Sequence, residues 1–422
     1  MKLAIVGGGS TYTPELIDGF ARLRDVLPLE EVVLVDPDEE RLALVGGISQ
    51  RMLAHAGHPA RLTTTTELVA GVTDADAVLV QLRVGGQDAR HADETWPHEA
   101  DCIGQETTGP GGFAKALRTV PVVLRIAEAV RRHAKPDAWI VDFTNPVGIV
   151  TRALLQEGHR AVGLCNVAIG FQRRFARILD VAPDQVQLGH VGLNHLTWER
   201  SVTVAGRDEL PGLIEGRLGE LAGDVHLAPE LVSGLGALPS YYLRYFYAHD
   251  EVLREQRTEP TRAEAVRAIE RELLALYADE SQVEKPAALE GRGGAFYSEA
   301  AIELLAAIHG GEAERAVPRV VNLRNDGVLP FLPDDHVIEV PARYREGRFV
   351  AESVAALPDD FTGLISSVAG YERLALDAAV HGGRGRVLRA MRAHPLVRDH
   401  DRAERLTDLL LAENARFLEW AA

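Results

Sequence analysis

The stretch KLAIVGGGSTYTPEL, residues 2–16, decides how the rest of the chain is read. KLAIV at 2–6 is a short apolar run that suits a buried strand. Gly7, Gly8 and Gly9 follow at once, and a helix is expected from about Pro14 to Leu23. Strand, glycine turn and helix in that order open a dinucleotide-binding unit. The glycines allow the tight turn and the close approach of backbone N–H groups to a pyrophosphate at the helix N-terminus. The full GxGxxG pattern needs a third glycine at 12, where this chain has Tyr12. A glycine turn that serves only strand–helix packing is the alternative. The next segment bears on that choice: EVVLVD, 31–36, reads as a second strand ending in Asp36. A carboxylate there accepts from the ribose hydroxyls and repels a 2′-phosphate, which favours NAD over NADP.

The alternation continues outward. Helical spacing covers 40–57, and 61–68 holds a short strand and a helix start. A third strand is expected at 74–83, a helix at 116–134 started or interrupted near Pro121, a strand at 137–146 and another at 161–166. Strands that alternate with helices argue for a parallel sheet covered on both faces. The second half changes character. Residues 185–206 and 319–344 read as strands. Residues 209–223, 239–256, 261–279 and 298–311 read as helices, and 361–417 as an almost wholly helical tail. The expected fold is α/β: a Rossmann-like doubly wound parallel sheet followed by a mixed α/β, largely helical C-terminal domain. The division is set at 1–160 and 161–422, with no Ser- or Pro-rich linker to mark it.

A chain of 422 residues is too long for one ordinary core. With 45 Lys and Arg against 62 Asp and Glu, the formal net charge is −17. That balance disfavours nucleic acid and anionic membrane as partners, since both need a positive footprint. It leaves room for a small anionic substrate held by a local cluster of arginines. No apolar run reaches the length of a membrane span, and the N-terminal apolar run is too short for a signal peptide. Two cysteines, Cys102 and Cys165, suit a reducing compartment. A cytoplasmic protein is expected.

Ligands of an open parallel sheet bind beyond the carboxyl ends of its strands. Three segments there are rich in polar and turn-forming residues. Residues 81–121 carry Arg83, Arg90, Asp93, Glu94, Glu106 and the run TTGPGG, and read as a functional loop. DFTNPVG, 142–148, carries Asn145, for which an Asx turn is the alternative. GLCNVAIG, 163–170, carries Cys165 and Asn166. Outside these three, VGLNHLTW, 191–198, carries Asn194 and His195. A thiolate and an imidazole can share one divalent metal. Taken singly, Cys165 also suits a small buried residue, His195 a satisfied core histidine, and the tyrosines of PSYYLRYFY, 239–247, an aromatic packing face.

Taken together, these motifs resemble glycoside hydrolase family 4, the NAD- and divalent-metal-dependent glycosidases. Nine segments match in order: GGGSTYTPEL (7–16), GQETTGPGGFAKALRTVP (104–121), DFTNPVG, GLCNV, GLNHL, PSYYLRYFY, EPTRAEAV (259–266), RGGAFYSEAA (292–301) and VVNLRNDGVLPFLPDD (320–335). The likeness is greatest to the subgroup acting on 6-phospho-β-glucosides, whose mark is Asn after the cysteine, where α-specific members carry Asp. The family usually has CNxP, and this chain has Ala168 at the last position. The resemblance implies NAD at Gly7, Gly8, Gly9, Ser10, Thr11 and Asp36. It implies Mn(II) or a similar divalent metal on Cys165 and His195, and Tyr242 as catalytic base, with Tyr241 beside it. It assigns substrate contact to Arg90, Glu106, Asn145, Asn166 and Arg262. The implied reaction oxidises C3 of the sugar, removes the C2 proton, eliminates the aglycone, adds water and reduces C3 again; two flanking carboxylates are not required. The implied partner is a phosphorylated sugar, with a homodimer or homotetramer as the assembly. An α-linked or unphosphorylated substrate stands as the alternative within the family, and a net NAD-dependent dehydrogenase outside it.

Overall fold

The structure is a computed structural model that describes residues 1–293 and 296–421. Its strands are β1 (Lys2–Val6), β2 (Glu31–Val35), β3 (Arg61–Thr65), β4 (Ala77–Val80), β5 (Trp139–Asp142) and β6 (Ala161–Gly163), then β7 (Val186–Leu193), β8 (Leu196–Val204), β9 (Arg207–Asp208) and β10 (Leu238–Pro239), and finally β11 (Arg319–Arg324), β12 (Val337–Arg345) and β13 (Arg348–Ala351). Leu3–Val6 of β1 and all of β4 and β5 are buried, as strands covered on both faces require.

The strands run β3-β2-β1-β4-β5-β6 as a parallel sheet. That is the order of a dinucleotide-binding fold, and the direction of winding reverses between β1 and β4, where the ligand crevice lies. Helices Thr13–Arg22 and Glu39–His55 pack on each other. Helix Gly109–His133 packs with Leu68–Val72 and Val147–Gln156. The expected boundary at 160/161 falls at the start of β6, which pairs in parallel with β5.

The sheet does not stop there. It continues antiparallel as β11-β12-β7-β8-β10, with β13 on β12 and β9 on β8. Two joints are narrow: β6 meets β11 at Gly163↔Asn322, and β12 meets β7 at Glu339↔Gly192. Asn322 also faces Glu339 across β11 and β12. Gly163, Asn322, Glu339 and Gly192 therefore form one row across the sheet. Gly163 leaves room for its neighbour in the row: a Cβ there would lie 2.2 Å from Thr151 Oγ1 and 2.8 Å from Asn322 Cβ. Beyond the row, the chain ends β6 two residues before Cys165 and ends β7 just before Asn194 and His195.

Two expectations are corrected. Residues 81–121 are not an open loop. They fold as the helix Gly86–Thr95, the 3₁₀ turn Trp96–Ala100 and the start of the helix Gly109–His133, which runs through Pro121. The glycines of TTGPGG serve close packing: a Cβ on Gly111 would lie 2.3 Å from Asp93 O. Residues 239–256 are not one helix either. They break into the 3₁₀ turn Tyr241–Leu243 and the helices Arg244–Tyr247 and His249–Gln256. The helical tail is as read, in Asp359–His381, Arg384–Ala393 and His400–Asn414. Its last helix is fastened by buried Arg118, which bonds Asp93 and Asn414. No described helix is long and apolar enough to cross a membrane.

Gly163→Ala is expected to destabilise the fold by about 2 kcal/mol, because neither neighbour can give way without disturbing the row. Urea unfolding measures it, and an unchanged midpoint would refute the packing argument.

Candidate active site

The crevice begins at the glycine turn. Gly7 has φ 88°, a conformation that glycine adopts without strain. Gly9 N–H donates to Asp36 Oδ2 at 3.0 Å, and a Cβ on Gly9 would lie 2.8 Å from Asp36 Cγ. The turn and the carboxylate at the end of β2 are thus held edge to edge, open for an elongated ligand with a diphosphate and a ribose. Tyr12, in place of the third glycine, is buried and meets Tyr297 edge-on at 6.1 Å. Ser10 and Thr11 face an arginine from the second half: Arg292 Nε donates to Thr11 Oγ1 at 2.7 Å, and its Nη2 reaches Ser10 Oγ at 3.4 Å. Thr11 Oγ1 donates to Glu270 Oε1 at 2.9 Å.

Next along the crevice, Glu106 is buried among cations. Arg83 forms a two-pronged pair with it, Lys115 Nζ lies at 2.8 Å and Arg90 Nη2 at 3.2 Å. Burial opposes its charge, yet Arg83, Lys115 and Arg90 hold Glu106 well below the usual carboxylate range. Burial first, then Arg83, lowers Lys115 to about 8. Arg90 also holds Glu94 at 2.8 Å, and Glu94 accepts from Ala263 N–H at 2.8 Å. Glu106, expected to contact substrate, thus sits with both oxygens on cations, and a carboxylate so paired keeps lone pairs that can accept from a hydroxyl. Arg262 opens the helix Arg262–Ala278, next to the Ala263 N–H that bonds Glu94. It is exposed, and its Nη2 donates to Gly291 O at 2.9 Å.

Cys165, His195 and Tyr242 come together. Asn194 and His195 make the two-residue turn between β7 and β8, and His195 takes φ 62°. Two-residue hairpin turns use this left-handed region, which histidine enters more readily than most side chains. The ring of Tyr242 lies parallel to the His195 ring, 3.6 Å between centroids and 8° between planes. His195 Nδ1 meets Thr107 Oγ1 at 3.0 Å, which leaves Nε2 for another partner. Burial lowers the His195 imidazole to about 4, so it is neutral at pH 7, the form that ligates a metal. Cys165 is buried. Burial, then the charge of Glu339, pushes its thiol up; hydrogen bonds from Val167 N–H, Asn194 and Tyr297 oppose this. The donor set, a soft sulfur and a free imidazole nitrogen, fits a divalent ion. Among the described residues no group of three or more His, Cys, Asp or Glu is spaced to hold one. Such an ion needs oxygen donors from a substrate or water.

Burial, then Cys165, raises the Tyr242 hydroxyl well above its ordinary value; Arg90 opposes. Tyr241 points elsewhere. It is 38% exposed, accepts from Arg244 Nη1 at 2.9 Å and meets His226 edge-on. Asn145 Oδ1 is buried with no partner, a hydrogen-bond acceptor left for a ligand. Asn166 precedes the helix Val167–Leu179, and its backbone N–H reaches the Tyr297 hydroxyl. Ala168 is the second residue of that helix. A proline there would remove only an N–H that has no helical partner, so the departure from CNxP leaves the helix start intact.

Sequence reading passed over Thr107, Lys115, Asn194, Arg292 and Tyr297, although each lies in a quoted motif. Gly294 and Ala295 of RGGAFYSEAA lie outside the described residues. Glu339 has no motif; its one signal is a carboxylate inside the apolar run VIEV.

A switch-point crevice with a glycine turn, a strand-end carboxylate and a Cys–His–Tyr cluster defines an α/β protein of dinucleotide-binding fold with a reaction centre beyond the nucleotide. Comparison with known proteins makes this particular. The model of the family 4 glycosyl hydrolases matches residues 2–181, and that of their C-terminal domain matches 190–397. The chain belongs to glycosyl hydrolase family 4. It is 38% identical to a probable 6-phospho-β-glucosidase of Bacillus subtilis, over 99% of this chain and 97% of the relative. The 6-phospho-β-glucosidase of Thermotoga maritima, solved with manganese, NAD⁺ and glucose-6-phosphate, superposes with TM-score 0.90 at 33% identity over 99% of both chains. A 6-phospho-α-glucosidase from gut microorganisms, solved with NAD and Mn²⁺, gives TM-score 0.89 at 25% identity, over 99% of this chain and 98% of that one.

Buried His190 adds a pH dependence. Burial opposes its charge, yet Glu199, at 2.5 Å, and Glu339, at 3.0 Å, raise it to about 10. An unfolded histidine loses its proton near 6.5. The stability this group contributes is complete below about 6.5 and falls as pH rises towards about 10. In urea unfolding across that window, His190→Gln should flatten the decline; an equally steep decline would contradict the assignment.

Proposed function

We propose that the chain hydrolyses 6-phospho-β-glucosides to glucose 6-phosphate and an aglycone, with NAD and a divalent metal, Mn(II) foremost, as cofactors. The observation that carries the reading is the parallel contact of Tyr242 with His195 beside Cys165. The activities of the full-length relatives support it, as does the higher identity to β- than to α-specific ones. When bound, NAD supplies a hydride acceptor at C3 and the ion supplies Lewis acidity and positive charge, so that net hydrolysis runs through C3 oxidation, C2 deprotonation, elimination of the aglycone, water addition and re-reduction.

The chain's own groups have these roles. Gly7, Gly8 and Gly9 admit the diphosphate, Ser10 and Thr11 line its turn, and Asp36 accepts from the ribose. Cys165 and His195 hold the ion. Tyr242 takes the C2 proton; its hydroxyl is raised by burial, so it acts as a base only with added positive charge. Asn145 and Asn166 orient the sugar hydroxyls. Arg90 bonds the substrate, and Glu106 holds Arg90 and Arg83 in place while accepting from a sugar hydroxyl. Arg262, on the rim, takes the 6-phosphate at the mouth of the crevice. Residues 1–160 carry the cofactor site, and 161–422 carry the metal, catalysis and assembly. The protein acts in the cytoplasm as a homodimer or homotetramer.

The direct test is hydrolysis of p-nitrophenyl β-glucoside 6-phosphate beside its α-linked and unphosphorylated counterparts, with NAD⁺ and Mn(II) present. Cleavage of the phosphorylated β-substrate with no accumulation of NADH is expected. Steady NADH production would make the protein a dehydrogenase instead. Tyr242→Phe should lower turnover at least ~100-fold, the scale of a lost general base, whereas Tyr241→Phe should leave it within about twofold; the reverse pattern would move the base to Tyr241. Cys165→Ser should abolish activity and keep NAD binding by calorimetry; full activity in that variant would remove the metal assignment.

A further inference from the structure

The active site rests on a buried chain whose charged members, Glu199, His190 and Glu339, lie in none of the matched family motifs. Glu199, His190, Glu339 and Asn322 are each at most 1% exposed. His190 Nδ1 meets Glu199 Oε1 at 2.5 Å and its Nε2 meets Glu339 Oε1 at 3.0 Å. An imidazole whose two nitrogens both face carboxylates donates from both. The other Glu339 oxygen, Oε2, accepts from Asn194 Nδ2 and from Asn322 Nδ2, each at 2.8 Å. Asn194 also donates to the sulfur of Cys165. The chain thus runs from Glu199 through His190, Glu339 and Asn194 to Cys165.

Packing alone does not call for this arrangement. Three buried charges are costly to desolvate, and apolar side chains of similar volume would serve a sheet joint at least as well. Glu199 Oε2 and Asn322 Oδ1 are buried without partners, which adds to the cost. What a carboxylate offers here is direction. It is acceptor-only, so it fixes which end of the Asn194 amide faces it. With Nδ2 held at Glu339, the second hydrogen of the same nitrogen goes to Cys165, the donor a thiolate needs. The charge of Glu339 by itself opposes a thiolate at Cys165, so what the carboxylate contributes is the direction of the amide.

We infer that Glu339 is a positioning residue for the metal site: it sets the Asn194 amide so that its NH₂ group, and not its oxygen, faces the Cys165 sulfur. The inference rests on the assignment of Cys165 and His195 as metal ligands. Glu339→Gln keeps the shape and loses the direction, because a glutamine NH₂ can turn the Asn194 amide and aim its oxygen at the sulfur.

The test uses the full chain and binding alone. Mn(II) affinity is measured by calorimetry, and Co(II) is added to read the thiolate-to-metal charge-transfer absorption. NAD affinity and urea unfolding serve as controls. In the wild type, Co(II) should give that band, and Cys165→Ser should remove it; a wild type without the band would overturn the metal assignment and this inference with it. In Glu339→Gln, Mn(II) affinity should fall 10–100-fold, the usual scale for a lost partner of a metal ligand. The Co(II) band should shift or weaken, and NAD affinity should stay within about twofold. Wild-type Mn(II) affinity with an unshifted band would overturn the inference while leaving the metal site standing. Asn194→Ala, in the turn after β7, decides the matter if Glu339→Gln does not fold: the same loss and band shift are expected, and wild-type values would overturn the inference.

Discussion

The carboxylate of Glu339, buried where β12 meets β7, ties this molecule together. Its two oxygens accept from His190, Asn194 and Asn322. Those three residues belong to β7, to the turn after it and to β11. The joints on either side are narrow, one paired residue from β6 to β11 and one from β12 to β7. A parallel sheet ending at β6 and an antiparallel sheet thus become one surface through few backbone bonds and one charged side-chain network. Removing a single partner from such a network leaves a buried charge unpaired, which costs more than the pair gains.

The consequence for the site is geometric. Cys165 follows the last parallel strand, whereas His195 sits in a hairpin turn of the antiparallel part. Thirty residues separate them in sequence, and they meet only because the row Gly163, Asn322, Glu339, Gly192 brings the two strand ends side by side. The nucleotide-facing half is assembled on the same plan. The glycine turn lies on β1 and Arg83 follows β4. Arg292, from the second half of the chain, reaches Ser10 and Thr11. The parallel sheet supplies the crevice, and the later segments supply the groups that make it reactive.

The parallel half was legible because most of its strands are compact apolar runs ending in a polar turn; the edge strand β3, RLTTT, is the exception. Asp36, Asn145 and Cys165 could be located by counting from strand ends. The antiparallel joint was not legible: Glu339 and Gly192 lie 147 positions apart and share one pairing, which leaves no periodic trace. TTGPGG misled in a specific way. Glycines that usually open a loop here let a helix and the preceding segment approach within van der Waals contact. Residues 239–256 misled because their apolar spacing is helical throughout, yet the chain breaks at Ser240 and Ala248 and so turns Tyr242 onto His195 and Tyr241 towards solvent. Glu106 was recognised as a site residue, but three cations at one carboxylate are not readable from sequence.

The central claim is that a glycosidic bond is broken here by transient oxidation and loss of the C2 proton, not by direct displacement between two carboxylates. The measurement that bears on it most directly is the isotopic content of glucose 6-phosphate formed in D₂O with NAD⁺ and Mn(II), read by mass spectrometry and proton NMR. The account predicts deuterium at C2 of the product. Hydrolysis at full rate with C2 still carrying its original hydrogen would contradict it.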